Sequence, residues 1–65
     1  MKVTINDTPH ELAQDARLPD ALAAIQATPP FAVAINRQFV PRSQYTDRVL
    51  QANDRIEVIR PVTGG

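Results

Sequence analysis

Residues 31–42 read FAVAINRQFVPR, and this stretch decides the fold. Phe31, Val33 and Ile35 alternate with Ala32 and Ala34, the period-two pattern of a strand that buries one face. Asn36–Arg37 breaks the alternation as a turn. The chain then returns as a short strand through Phe39 and Val40, and Pro41 ends it. The stretch is therefore a hairpin, with Val33 and Ile35 directed into a core.

Downstream, RSQYTDRVLQ (42–51) reads as a connector with a helical turn, and AND (52–54) as a turn. RIEVIRPV (55–62) is a last strand, with Ile56 and Val58 facing in and Arg55, Glu57 and Ile59 facing out. Upstream, RLPDALAAIQAT (17–28) carries Leu18, Leu22 and Ile25 at helical spacing with Ala21 beside them. Pro19 and Asp20 suit a first turn, and the residue before a proline avoids helix, so the pattern predicts about three turns ending at Thr28. The chain opens with MKVTIN, in which Met1, Val3 and Ile5 alternate with Lys2 and Thr4. NDTP follows as a turn, and PHELA (9–13) is a short second strand that Pro9 suits to a sheet edge.

The order is ββαβββ. One helix can cover one face of a four- or five-stranded sheet. A right-handed helical crossover allows the first and last strands to lie side by side and parallel. The fold class expected is α+β, a β-grasp (ubiquitin-like) mixed sheet with one main helix on one face. Its core is predicted to hold Val3, Ile5, Leu22, Ile25, Val33, Ile35, Ile56 and Val58. The domain is assigned to residues 1–60, followed by a flexible tail over 61–65.

Composition narrows the function. Sixty-five residues make one domain, near the lower limit for a self-sufficient core. There is no cysteine, and one histidine, His10, cannot build a metal site alone. Seven acidic and seven basic residues balance to zero, against the basic excess of nucleic-acid binders. The basic side chains lean toward the second half, where five arginines face Asp47, Asp54 and Glu57. No apolar run is long enough for a membrane span and MKVTIND is not a leader, so a soluble cytoplasmic protein is expected. No catalytic triad or phosphate loop is present. Phe31, Phe39 and Tyr45 read as core or its edge rather than as a base-stacking platform.

Both glycines of the sequence, Gly64 and Gly65, are its last two residues. A terminal glycine pair is unremarkable by itself, since ends fray. Here it follows a strand, a stiffening Pro61, Val62 and Thr63, in a chain that spends no glycine on its turns.

With those motifs in view, the sequence resembles the ThiS family of sulfur carriers in thiamin biosynthesis. The resemblance rests on Ala34-Ile35-Asn36, Val40-Pro41-Arg42, Asn53-Asp54 and Gly64-Gly65, and it covers the whole chain. LPDAL replaces the family's usual polar helix start, a matter of capping. The resemblance implies a carrier with no catalytic residues and no bound cofactor. It implies that a ubiquitin-activating-like adenylyltransferase (ThiF type) consumes ATP to adenylate the Gly65 carboxylate. A sulfur source such as a cysteine desulfurase relay then yields a thiocarboxylate, and thiazole synthase (ThiG type) takes the sulfur for the thiazole ring. Gly64, Thr63 and Val62 would form the tail that enters those enzymes.

Ala32, Ala34 and Ile59 fall on the sheet face opposite the helix. Related ubiquitin-like proteins dock through that face, which makes these three the expected partner-binding patch, with Arg37, Arg42 and Arg60 as its rim. Two alternatives stay open. One is the small subunit of molybdopterin synthase, with the same tail chemistry and usually a longer chain. The other is a ubiquitin-like modifier or interaction module.

Overall fold

The structure is a computed structural model and describes residues 1–61. The expected tail therefore lies outside the described residues from Val62 onward.

Two tight hairpins form the outer parts of the sheet. In the first, β1 (Lys2–Ile5) and β2 (Thr8–Glu11) are joined by Asn6 and Asp7, with φ of 51° and 68°. In the second, β3 (Ala32–Ile35) and β4 (Gln38–Val40) are joined by Asn36 and Arg37, with φ of 52° and 68°. Positive φ at both central residues is the type I′ geometry, whose twist matches that of the flanking strands. The first turn thus closes one residue pair earlier than NDTP suggested, and Thr8 and Pro9 belong to β2. Pro9 is tolerated because β2 is an edge strand.

The last strand, β5 (Arg55–Ile59), inserts between the hairpins. The sheet order is β2-β1-β5-β3-β4, with β1 and β5 parallel and all other pairs antiparallel. This is the mixed sheet with adjacent first and last strands that the pattern predicts. A short 3-10 turn, Arg42–Gln44, lies in the connector after β4. No helix among the described residues is long and apolar enough to cross a membrane.

The helix is shorter than predicted. α1 spans Leu18–Ala24, about two turns instead of three. At its start, the Arg17 backbone N–H donates to Asp20 Oδ2 at 2.8 Å, which uses one of the free donors of the first turn. At its end, Gln26 takes φ of 54°. The Gln26 N–H reaches the Ala23 carbonyl at 3.0 Å and the Ala27 N–H reaches the Leu22 carbonyl at 2.9 Å. That paired closure is a Schellman motif. Its usual glycine is replaced by glutamine, so the stop carries no signature in the sequence.

The buried stripe of α1 is centred differently from the expectation. Leu18 and Ala21 are 0 % exposed, whereas Leu22 and Ile25 are half-buried and pack at the margin of the core. Val3, Ile5, Val33, Ile35, Ile56 and Val58 are buried as predicted. Ala16, Val40 and Leu50 join them. Leu50 donates to the Ala16 carbonyl at 2.8 Å and Leu18 donates to the Arg48 carbonyl at 3.0 Å. Arg17 and Val49 meet in an isolated antiparallel bridge between those bonds. The two loops so joined send Ala16 and Leu50 inward. Of the three aromatics, Phe31 and Tyr45 are half-buried, with rings stacked at 6.0 Å and 12°. Phe39 departs from the expectation at 69 % exposed.

Leu18→Ala is expected to cost about 2–5 kcal/mol in urea unfolding, and Leu22→Ala clearly less. Equal losses would contradict the placement of the helix. Gln26→Gly relieves a left-handed residue that costs roughly 1–2 kcal/mol, partly offset by added freedom in the unfolded chain. A net gain of about 1 kcal/mol would raise Tm by about 4–8 °C. A lower Tm in calorimetry would count against the described helix end.

Candidate functional site

β5, the last strand of the described residues, is held from both sides. The Asn6 Oδ1 accepts from the Val58 N–H at 2.8 Å, and the Asn36 Oδ1 accepts from the Arg55 N–H at 2.9 Å. The backbones add Asn6 N–H to the Ile56 carbonyl at 2.9 Å and Asn36 N–H to the Arg55 carbonyl at 2.8 Å. Each asparagine is the first residue of an I′ turn, where its side chain can reach past the end of its hairpin to β5. Asn36 Nδ2 also donates to Asp54 Oδ1 at 3.1 Å. Asp54 is only 6 % exposed, and its second oxygen accepts from the Gln51 N–H at 2.8 Å. The carboxylate thus closes the turn before β5 and ties it to the second hairpin.

Strand register then decides which side chains meet. Ala32 lies opposite Ile59 and Ala34 lies opposite Glu57 across β3 and β5. A two-residue turn at 36–37 pairs Ala34 with Phe39. The face away from α1 therefore presents Phe39, Ala34, Glu57, Ala32 and Ile59 together. Ile59 is 56 % exposed. An open apolar hollow of about 330 Å³ lies beside it, lined by Pro30, Phe31, Ala32, Ile59 and Pro61. This hollow adjoins Pro61, the last described residue.

Ala32 and Ile59 are thus neighbours, and Ala34 sits one residue pair along the same face. Arg37 joins Ala34 in a polar hollow with Asp7, Arg55 and Glu57, where Arg55 Nη2 stands 3.5 Å from Asp7 Oδ1. Arg42 lines a separate hollow with Pro29, Pro30, Phe31 and Tyr45. Arg60 lines a hollow with Ile5 and Ile25 on the helix side, because it shares the phase of Ile56 and Val58. Arg60 therefore lies on the helix side, apart from the patch, whereas the hollow of Arg37 shares Ala34 with it and that of Arg42 shares Pro30 and Phe31. Val62, Thr63, Gly64 and Gly65 lie outside the described residues.

Phe39, Pro30 and Pro61 were not among the site residues inferred from sequence. For Phe39 the signal was available, since the turn at Asn36–Arg37 fixes the parity of β4 against β3. Pro30 and Pro61 become part of the face only through the path of the chain before β3 and after β5.

A five-stranded mixed sheet of this order, with one helix on one face and an apolar patch at the end of the central strand, defines a β-grasp protein. The ThiS family model matches residues 3–65, and the chain belongs to the ThiS family. The fold is shared with the crystal structure of the thiamine biosynthesis protein ThiS from Geobacter metallireducens. The TM-score is 0.82 at 20 % identity, over 100 % of both chains. An NMR solution structure of a thiamine biosynthesis protein from the same organism gives a TM-score of 0.79 at 20 % identity, covering 100 % of this chain and 88 % of that one. None of the curated proteins matches this chain. Membership in the family supports a sulfur-carrier role.

Asn36→Gly keeps the left-handed turn and removes the side-chain link to Arg55 and Asp54. It is expected to cost about 1–3 kcal/mol in urea unfolding, because the Asp54 carboxylate loses a donor in a buried position. Unchanged stability would mean that the link holds nothing in place.

Proposed function

We propose that this protein is a sulfur carrier of thiamin biosynthesis that works as a substrate of partner enzymes, with the reacting carbon on Gly65. The observation that carries the reading is the family match, which runs through Gly64 and Gly65. A carboxylate is a poor electrophile, since charge and resonance oppose attack. Adenylation with ATP replaces one oxygen's role with that of a leaving group and releases pyrophosphate. The terminal sulfur of a persulfide adds to the acyl carbon and AMP departs, leaving an acyl disulfide. A second thiol then cleaves its S–S bond, so that a thiocarboxylate remains on the carrier and a disulfide on the thiol partners. A sulfur source such as a cysteine desulfurase relay feeds this step, and a thiazole synthase consumes the product. The same tail chemistry would serve a molybdopterin-synthase subunit; the ThiS match favours the thiamin pathway.

The chain's own residues have three tasks in this scheme. Gly64 and Gly65, lacking Cβ, let the backbone pass a narrow channel. Pro61 limits the conformations to be lost when the tail is ordered, at about 1–2 kcal/mol per free residue. Ile59, Ala32 and Ala34 supply the apolar docking face, with Phe39 at its edge. Small alanines leave room there for a partner's side chains.

Two measurements test this. Intact-protein mass spectrometry, after incubation with ATP, the adenylyltransferase and a sulfur source, should show one oxygen-to-sulfur exchange localised to Gly65. Deleting Gly65 moves the carboxylate by roughly 3.3–3.6 Å, and a misplacement near 1 Å can cost on the order of a hundredfold in rate. Thiocarboxylation of the deletion variant at the wild-type rate would refute the assignment of Gly65. Ile59→Asp should keep its circular dichroism spectrum, as an exposed substitution, while adenylation at low carrier concentration falls. Normal turnover would remove Ile59 from the docking face.

A further inference from the structure

The helix side of the sheet is incompletely covered. α1 ends at Ala24, and beyond it the corner formed by β2, β1 and β5 opens into a hollow of about 470 Å³. Its floor is apolar, made by Ile5, Ile25, Ala27 and Val58. Its polar walls are Asn6, Thr8, His10 and Arg60, and no acidic side chain is among the described residues that line it. Pairing explains the arrangement: His10 lies opposite Val3 and Thr8 opposite Ile5, so both follow the inward phase of β1. The chain balances to zero net charge, yet this corner carries a guanidinium and an imidazole with no carboxylate among the described residues that line it.

The hollow is next to the root of the tail. Ile59, the last residue of β5, points away from the helix, and Arg60, the next residue in the chain, lines the hollow on the helix side. An enzyme that encloses residues after Pro61 in a channel must surround this root and meets both sides of the sheet. On one side it finds an apolar face. On the other it finds the Arg60 guanidinium and His10 over an apolar floor.

We propose that the hollow between His10 and Arg60 is a second docking site, filled by an acidic side chain of the enzyme that adenylates the tail. The carboxylate meets Arg60 and His10, and the methylene groups of the same side chain lie on Ile5, Ile25, Ala27 and Val58. Enclosure by the partner removes water from the Arg60 guanidinium, so the ion pair contributes more than an exposed one would. The inference rests on the proposed adenylation of Gly65 and adds where, and by what chemistry, the adenylating enzyme holds the carrier.

The test is equilibrium binding of the full-length carrier to the adenylyltransferase without ATP, by titration calorimetry. The variants are Arg60→Glu, Arg60→Ala, His10→Glu and Lys2→Glu. Lys2 is exposed at the far end of β1 and controls for net charge. Arg60→Glu should weaken binding on the order of tenfold or more, and Arg60→Ala less. His10→Glu should weaken it in the same direction, and Lys2→Glu should leave it near wild type. Raising salt should weaken wild-type binding more than that of Arg60→Ala. Circular dichroism confirms the fold of each variant, and Arg60→Ala decides the matter if the reversal unfolds. Wild-type affinity for both Arg60 variants, with Ile59→Asp weakened, overturns the hollow and leaves the docking face standing. Equal weakening by Lys2→Glu also overturns it, reducing the effect to net charge. Failure of the underlying function reads out separately, as absence of thiocarboxylation in the wild-type protein.

Discussion

Everything in this domain depends on β5 being bonded along both edges. It is the only strand whose neighbours come from different hairpins, and without it β1–β2 and β3–β4 are two isolated ribbons that would be marginal in water. Regular pairing to β1 covers little of it, since the register pairs only Thr4 with Arg55 and Ile5 with Ile56. The Asn6 side chain extends that contact to the Val58 amide, and the Asn36 side chain supplies the Arg55 amide from the other edge. A backbone donor left without a partner in the middle of a sheet costs about as much as a lost hydrogen bond. The two asparagines therefore do more than close turns. They extend the bonding of β5 to both hairpins beyond its backbone pairing.

This explains which parts of the fold were legible. The strands announced themselves because their faces differ: Val33 and Ile35 against Ala32 and Ala34, Ile56 and Val58 against Glu57 and Ile59. The end of α1 did not, because Gln26 occupies the left-handed position where glycine would have marked it. The centre of its buried stripe was misplaced for a related reason. A helix running to Thr28 weights Leu22 and Ile25, whereas one ending at Ala24 is anchored by Leu18 and Ala21. Ala16 and Leu50 enter the core through a contact between two loops, and no periodicity encodes that. The outward direction of Phe39 was implicit in the turn at Asn36–Arg37. The repetition of Ile-Asn at 5–6 and 35–36, which marks two equivalent hairpins, was also present in the sequence and unused.

Among the described residues, seven other than glycine hold positive φ: Asn6, Asp7, Asp15, Gln26, Asn36, Arg37 and Asn53. Asparagine and aspartate tolerate this region because their short side chains bond locally. Gln26 and Arg37 have no such excuse. The turns of this fold thus do require what glycine provides, and other residues provide it. The absence of internal glycine cannot be explained by a lack of places for it. The glycine pair at 64–65 is then set apart by position, in a chain that elsewhere accepts left-handed strain in larger residues.

In the proposed scheme the reaction occurs on the carrier's own main chain, which imposes a division of labour. The reacting end must adapt to more than one enzyme, while the part those enzymes recognise must stay fixed relative to it. The fixed part here is the end of β5, the central strand, bonded on both edges and followed by Pro61. Recognition surfaces need to be near that end, because each residue of free chain between grip and reaction adds conformations to be lost on binding. Strand alternation gives two such surfaces at the smallest possible separation. Ile59 belongs to the outer face with Ala32, and Arg60 belongs to the helix-side corner with His10. The last residue of β5 and the residue after it thus put an apolar and a cationic side chain on opposite sides of the chain, where the proposed partner would hold it. A helix end would not do so, since its neighbouring side chains differ by about 100° rather than pointing to opposite faces. In the proposed scheme, placing the reacting end after the central strand of a sheet would therefore let a partner hold the carrier from both sides within one residue of the end of that strand.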